Sequence, residues 1–319
     1  MPRGAVKSKM NRWITVIVCG TTLLTAAAVV IVLRSRRQPL PPLDVPTALS
    51  STEVRVKAVE RKSEPVSEGE IVAASYAVAI VCGDGANAGR YEARNDALRS
   101  IMRSRSLTKD DATALMDYLA STNDQLRAER VAALKNDVMN LLRRQETPVE
   151  GLAETLIGMF DGGAHPPAVL DYCVQHLGAM QGGLDGTARR RVHDVLVRAA
   201  RRKSMPYAGT ALYSLAADRR ATSAQNAELK HLALAMCGSD ANPAARVAAI
   251  QLAGERGYGE ALPILRKALS SPRRDAVLDI VDIVAIGSIG LLGDFSDISR
   301  LSHFIKHDSR RVPAGGDAD

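Results

Sequence analysis

The chain has 319 residues and a formal net charge of +7, and only 3% of its residues are aromatic. Ala, Leu, Val and Ile are abundant, which favours helices packed through small side chains over sandwiches or barrels, so we expect an all-α fold. Residues 1–12 carry four basic and no acidic side chains, whereas residues 71–319 carry 31 basic and 29 acidic ones. The excess charge lies mainly at the N-terminus, and we therefore expect no nucleic-acid partner.

A long apolar stretch follows the basic N-terminal tail. Residues 13–33, WITVIVCGTTLLTAAAVVIVL, contain no charged side chain. As a helix they would span about 31 Å, which matches the hydrocarbon core of a bilayer. A cleaved signal peptide is the competing interpretation, because Ala26–Ala28 are small. The apolar run continues beyond them to Leu33, so we predict an uncleaved transmembrane helix that contacts the lipid bilayer.

Basic residues flank this predicted helix on both sides, and they bear on its orientation. Four of them precede it, while Arg34, Arg36 and Arg37 follow it. Short basic N-terminal tails usually stay in the cytoplasm. We expect a single-pass protein of the cell membrane with an extracytoplasmic folded part, and the opposite orientation stays open because the difference in charge is small.

The segment after the apolar stretch has the composition of a flexible linker. Residues 34–70 contain five prolines, nearly balanced charges and no aromatic side chain, so they cannot bury a core. The apolar run Ile71–Cys82 is too short to cross a bilayer and predicts the first packed helix. We expect a helical domain over residues 71–308 and a disordered tail over 309–319.

Amphipathic segments alternate with short breaks from Arg90 onward, and none shows the alternation of a strand. The pattern R-x-x-A-[LI] occurs at Arg94, Arg130 and Arg246. Predicted helix starts recur about every 37 residues, near Arg90, Leu126, Pro167, Met205, Pro243 and Pro272. Gly178 and Gly254 stand at the same distance from Pro167 and Pro243, which is a second, independent sign of a repeat.

This pattern resembles the HEAT-repeat family, most closely over residues 242–271. There a helix that starts with proline, a short turn containing glycine and a leucine-rich second helix follow one another. The resemblance is fair over residues 90–181 and weak over 187–237, where the unit boundaries stay open. It implies an α-solenoid of about six antiparallel helix hairpins. Most such proteins are scaffolds, and the family has no universal functional residues that could be carried over.

The strongest local charge is a run of seven basic residues over positions 189–203. Val192, Val195, Leu196 and Ala199 occupy the opposite face of the predicted helix. A solvated helix face is one interpretation, and a patch for an anionic partner is the other. The candidate binding residues of this patch are Arg190, Arg191, Arg198, Arg201 and Arg202.

Two groups of titratable residues have helical spacing near the C-terminus. His303 and His307 are four residues apart, which suits metal ligands, but no third ligand accompanies them, and we predict no metal site. Asp275, Asp279 and Asp282 form an acidic stripe. With no nucleophile beside them, we assign these carboxylates to a solvent-exposed helix face.

Cysteines and known motifs give no sign of catalysis. Cys82, Cys173 and Cys237 are far apart in the chain and are interpreted as buried apolar residues, although one disulfide among them stays open. No P-loop, G-x-G-x-x-G, G-x-S-x-G or kinase motif occurs. The sequence therefore predicts neither a catalytic residue nor a cofactor.

Together these features predict a membrane-anchored repeat scaffold that binds a protein partner without catalysis. A surface formed by stacked helix hairpins can hold an extended partner along its length. The alternative is an enzyme or enzyme subunit with a site in the groove of the solenoid. A bound metal, or clustering of the six histidines in the folded chain, would favour that alternative.

Overall fold

Helices make up the regular structure of the described residues. The computed structural model describes residues 68–102, 107–238, 240–270, 280–299, 301, 302 and 304. Within these residues twelve α-helices have defined bounds and no strand occurs, which confirms the predicted all-α class. The predicted transmembrane helix, the linker up to residue 67 and the tail 309–319 lie outside them. None of the described helices is long and apolar enough to cross a membrane.

The helices are numbered along the chain. The first six are α1 Glu68–Val81, α2 Tyr91–Ile101, α3 Lys109–Ala120, α4 Ala128–Arg143, α5 Leu152–Gly162 and α6 Pro167–Gln181. The second six are α7 Gly186–Arg201, α8 Tyr207–Ala216, α9 Ser223–Met236, α10 Pro243–Arg256, α11 Leu262–Ser270 and α12 Ile280–Leu292. Short 3-10 helices occupy Gly85–Asn87, Gly259–Ala261 and Phe295–Asp297.

Several helix starts lie where the sequence predicts them. Pro167 and Pro243 occupy the first turns of α6 and α10, where a missing N–H leaves no intrahelical hydrogen bond unmade. Thr108 caps α3, since its hydroxyl accepts a hydrogen bond from the Asp111 N–H at 3.1 Å. The linker boundary is corrected: α1 begins at Glu68, so residues 68–70 belong to the first packed helix.

The helices form two rows, which we call the odd row (α1 to α11) and the even row (α2 to α12). Each odd helix packs against the even helix that follows it, and each even helix packs against the next even helix. In the odd row, close packing continues from α1 through α3 and α5 to α7. From α9 onward, the odd helices pack mainly on the even row.

The pairing of helices differs from the predicted pairing by one helix. Each predicted unit begins at an even helix and would pair it with the odd helix that follows. In the structure α2 packs on the preceding α1, and α4 packs on the preceding α3. A spacing of repeats does not determine where a unit begins, because any position in a periodic pattern can serve as its start. The first unit therefore includes α1, which the repeat pattern did not reach.

Glycines let neighbouring helices of the even row approach closely. A methyl group added at Gly178 of α6 would lie 3.2 Å from the Cα of Ser214 in α8 and closer still to its side chain. At Gly254 of α10 it would lie 3.0 Å from the Cβ of Ser288 in α12. Gly178 and Gly254 occupy the same position in two repeats, so the same close helix contact occurs in both units. Ser288 also donates a hydrogen bond of 2.9 Å to the carbonyl of Ile250.

Two arginines, the buried Arg94 and the half-buried Arg246, donate hydrogen bonds to the carbonyl ends of helices. The Nε of Arg94 donates to the carbonyl of Val81 at the end of α1, at 2.9 Å. The Nε of Arg246 donates to the carbonyl of Cys237 just after α9, at 3.1 Å. Both arginines open an R-x-x-A-[LI] pattern and place a cation at the negative end of the preceding helix. Arg130, which opens the third such pattern, lies 3.5 Å from Glu92 instead. Arg94 also pairs with Asp124 at 2.9 Å, and both side chains are buried.

A buried lysine donates hydrogen bonds to the carbonyl end of α3. Lys135 is 1% exposed, and its ammonium donates to the carbonyls of Leu119, at 2.7 Å, and Ser121. Burial lowers the pKa of Lys135 to about 8, while the carboxylate of Asp124 opposes that shift. The carbonyls at this helix end hold the ammonium in place because they accept hydrogen bonds from its N–H groups.

The glycine contact predicts a pair of opposite effects on stability. Gly178→Ala should lower the free energy of unfolding by about 1–3 kcal/mol, because the added methyl group overlaps Ser214. Gly158→Ala in α5 is the control, since no atom lies within 4 Å of the added group. It should leave stability unchanged or raise it by up to about 1 kcal/mol. Chemical unfolding followed by circular dichroism measures both, and equal effects would contradict the close approach.

Candidate functional site

A groove of about 310 Å³ lies between α7 and α9, where the odd row is not closely packed. Its floor is largely apolar and is formed by Ala200 of α7 together with Leu232, Ala235 and Met236 of α9. Leu232 and Met236 are buried in the core, whereas Ala235 is exposed to solvent. An apolar side chain of a partner could therefore cover Ala235 and displace water from it.

Polar side chains surround this floor. Arg201 and Lys203 approach from the end of α7, and Glu228 and His231 stand on α9. A capping box at Thr222 sets the register of α9, because the Thr222 side chain accepts from the third residue, Gln225, and Gln225 bonds back to the Thr222 N–H. Positions 228, 231, 232 and 235 then fall on one helix face. The groove thus combines an apolar floor with a rim of both charges.

Ion pairs hold the rim on both sides of the groove. Arg201 and Glu228 join α7 to α9 at 2.8 Å, with their side chains 65% and 35% exposed. Lys203 pairs with Asp240, and hydrogen bonding from Lys203 lowers the pKa of Asp240. These pairs leave the rim nearly neutral. A partner would meet a mixed surface rather than a cationic one.

Two other basic residues of α7 pair with the previous odd helix. Arg191 lies 3.6 Å from Glu154, and Arg198 lies 2.7 Å from Asp161, both in α5. All four side chains are about half exposed. Their charges offset one another on the surface, which lowers the attraction for an anion. Binding of an anionic partner by Arg191 and Arg198 stays a prediction. Such a partner would have to compete with Glu154 and Asp161 for these two arginines.

Two further candidates have other neighbours. Arg190 is exposed and donates to the hydroxyl of Thr187 at 3.1 Å. Arg202 donates to the Tyr207 hydroxyl at 3.3 Å, and its guanidinium lies 5.3 Å from the centroid of the Phe160 ring. Arg202 therefore contacts two aromatic residues, Tyr207 and Phe160. Of the five predicted binding residues, Arg201 alone lines the groove.

Sequence reasoning missed the contribution of α9 to this site. Glu228, His231, Leu232 and Met236 were not singled out, because the unit boundaries over 187–237 were open. The capping residues Thr222 and Gln225, followed by polar and apolar residues at helical spacing, were the available signal. What no local pattern reveals is that α9 faces α7, since Arg201 and Glu228 are 27 residues apart.

The four described histidines, His165, His176, His193 and His231, lie in different helices or loops. In the described part of the chain, no group of three or more His, Cys, Asp and Glu side chains could hold a metal ion. The Nε2 of His176 lies 3.2 Å from the Asn136 side-chain oxygen, and burial lowers the pKa of His176 to about 4, which keeps it neutral near pH 7. His303 and His307 lie outside the described residues.

The predicted acidic stripe is corrected. Asp282 of α12 is 2% exposed, so it does not lie on a solvent-exposed helix face. Asp275 and Asp279, the other members of that stripe, lie outside the described residues.

Thiol chemistry does not contribute to the groove. Cys82, Cys173 and Cys237 are free cysteines, so the structure has no disulfide among them. Cys173 and Cys237 are buried, and burial raises their pKa values to about 12 and about 11. A thiol with such a pKa is a poor nucleophile near neutral pH.

Comparison with known proteins gives no relative of this chain. No protein-family model, no curated protein and no solved structure matches it. Evidence for a function therefore comes from the side chains of this chain and their packing.

Exposed and buried ion pairs of α7 should differ in their contribution to stability. Arg201→Ala should change the free energy of unfolding by less than about 1 kcal/mol, because its pair with Glu228 is solvent-exposed. Arg189→Ala is the matched comparison, since Arg189 lies 2.5 Å from Asp218, which is only 2% exposed. Its loss should lower stability by about 1–3 kcal/mol. Thermal unfolding of both variants tests this difference, and equal losses would contradict it.

Proposed function

We propose that the chain is a membrane-anchored, HEAT-like repeat scaffold that binds a protein partner without catalysis. The proposed fold is an α-solenoid of about six helix hairpins. Its support comes from packing between neighbouring units. Several side-chain contacts join residues one repeat apart: the pairs Asp161–Arg198 and Lys203–Asp240 are each separated by 37 residues. Contacts restricted to the next unit are typical of repeat arrays.

The groove between α7 and α9 is the single observation that carries the binding role. Its exposed floor at Ala235 is apolar, and its rim offers Arg201, Lys203, Glu228 and His231 as hydrogen-bonding groups. A partner segment with one apolar side chain and flanking polar groups would match both the apolar floor and the polar rim. Because the rim carries both charges, binding should depend more on shape than on the net charge of the partner.

The membrane anchor is proposed from sequence. Residues 13–33 have the length and composition of one transmembrane span, and basic residues flank them. In this proposal the scaffold is held at the cell membrane by that span, with the repeat domain on the extracytoplasmic side. The linker would let the groove reach a partner beyond the lipid surface.

The enzyme alternative would need a reactive group in the same groove. The titratable side chains that line it are Arg201, Lys203, Glu228 and His231. Glu228 is engaged by Arg201 at 2.8 Å, and Lys203 is engaged by Asp240. His231 would have to act without a neighbouring nucleophile from this set, so the groove favours binding over bond chemistry.

Site-specific crosslinking tests the binding role in intact cells with the full-length chain. A photoreactive amino acid at position 231 or 235 should crosslink a discrete protein, because both side chains border the groove. The same amino acid at the exposed position 175 of α6, in the even row, is the control and should not.

A groove-blocking variant makes the test specific. Ala235→Arg should abolish the crosslink from position 231, whereas Ala179→Arg, at an exposed site of α6, should preserve it. Crosslinking from all three positions alike, or a crosslink from position 231 that survives Ala235→Arg, would contradict binding in the groove.

A further inference from the structure

Two buried histidines lie at the contact between α4 and α6. His176 belongs to α6 and is 4% exposed, and His165, in the loop before α6, is 7% exposed. A buried imidazole needs one hydrogen-bond acceptor when it is neutral and two when it is protonated, because the imidazolium carries two N–H groups. The partners of each ring therefore determine how acidification affects this part of the array.

The ring of His176 has a partner for one of its two nitrogens. Its Nε2 lies 3.2 Å from the side-chain oxygen of Asn136 in α4, so the neutral ring donates there. Its Nδ1 is buried and has no hydrogen-bond partner among the described residues. A proton on Nδ1 would create a buried donor without an acceptor, which costs free energy. A like charge also stands near the ring, on Arg143 of α4, whereas the carboxylate of Asp137 faces other arginines.

The ring of His165 lies beside a second cation, at the C-terminal end of α3. Lys135 of α4 donates to the carbonyls of Leu119, at 2.7 Å, and Ser121. His165 bonds to the backbone of Ala120, the residue between those two. The imidazole and the ammonium therefore share one helix end. A protonated His165 would place a second positive charge there, and the two cations would repel each other.

The carboxylate that faces Lys135 is already engaged. Asp124 accepts hydrogen bonds from both terminal nitrogens of Arg94, at 2.9 and 3.0 Å. Tyr118 and Cys173 also face Lys135, and both stay neutral because burial raises the pKa of the Tyr118 phenol and raises that of the Cys173 thiol to about 12. The two cations outnumber the carboxylate, and this excess of positive charge opposes a proton on the nearby histidine.

The pKa values of both histidines agree with these surroundings. Burial lowers the pKa of His176 to about 4, and Arg143 adds to the effect. Burial and then Lys135 lower the pKa of His165, while the hydrogen bond to the backbone opposes them. In the unfolded chain a histidine takes up its proton near pH 6.5. The unfolded chain therefore binds these protons first, so stability that is present above about pH 6.5 is lost as the pH falls toward the folded pKa values.

We propose that the contact between α4 and α6 is acid-sensitive, so that protonation of His165 and His176 separates these two helices. Both new charges would arise on or next to α6 and would face the cations Lys135 and Arg143 of α4. The contact between α8 and α10 is formed by Gly209 against alanines of α10, which do not titrate. Opening should therefore start between α4 and α6. This contact lies outside the groove between α7 and α9, and its response to pH does not depend on a partner there.

Hydrogen–deuterium exchange at pH 7 and pH 5 tests the acid-sensitive contact in the full-length protein, with rates corrected for the pH dependence of the chemical exchange step. Each histidine lowers the ratio of closed to open forms by up to about tenfold per pH unit below 6.5. At pH 5 the amides of α4 and α6 should therefore lose at least about tenfold more protection than those of α10. Equal losses in all three helices would contradict the proposal.

Substitutions separate the two histidines from other groups that titrate in acid. His165→Gln combined with His176→Gln cannot gain a charge and keeps an N–H donor at each site, so it should remove most of the extra loss of protection in α4 and α6. His231→Gln, at an exposed histidine of α9, is the matched control and should leave that loss unchanged. An extra loss that persists in the double variant would overturn the proposal.

The histidine rings of the unaltered chain and one surface cation give an independent check. Nuclear magnetic resonance should show His165 and His176 taking up protons over the same pH range in which α4 and α6 lose protection. Arg143→Gln removes an exposed cation near His176, so it should shift that range to lower pH. Protonation of both rings without loss of protection, or a range that Arg143→Gln does not move, would also overturn the proposal.

Discussion

Close helix contact through glycine governs the packing of the even row from α6 to α12. At Gly178, Gly209 and Gly254 the neighbouring helix approaches so closely that no side chain fits between the two backbones. The odd row uses longer side chains instead, including ion pairs such as Arg198–Asp161. Close packing within the odd row ends at α7, and the groove lies beyond it, between α7 and α9.

Buried cations are the second requirement of this arrangement. Stacked helices bring their carbonyl ends into the interior, where each unpaired carbonyl costs free energy. Arg94, Arg246 and Lys135 donate to such carbonyls from the helix that follows, so in these three units the second helix completes the end of the first. This explains why residues 71–319, whose charges nearly balance, place positive charge in the core. The surface cations of α7 have the different task of joining neighbouring odd helices.

Composition and periodicity predicted much of this architecture. The scarcity of aromatic residues indicated helices, and the prolines at 167 and 243 marked two starts correctly. The repeat could not reveal which helices pair, because a period has no fixed beginning. The basic run on α7 was visible, but its partners Glu154 and Asp161 stand on another helix. Burial of Asp282 was missed because a helix pattern does not say which side lacks a neighbour.

Hydrogen–deuterium exchange of the full-length protein tests the central claim of a tightly packed even row beside an odd row that is open between α7 and α9. Backbone amides exchange according to the local free energy of opening. The account predicts the slowest exchange in α8 and α10, which pack on helices at both sides, and clearly faster exchange in α9, which borders the groove. Equal protection of α9 and α8, or an even row that exchanges faster than α9, would contradict it.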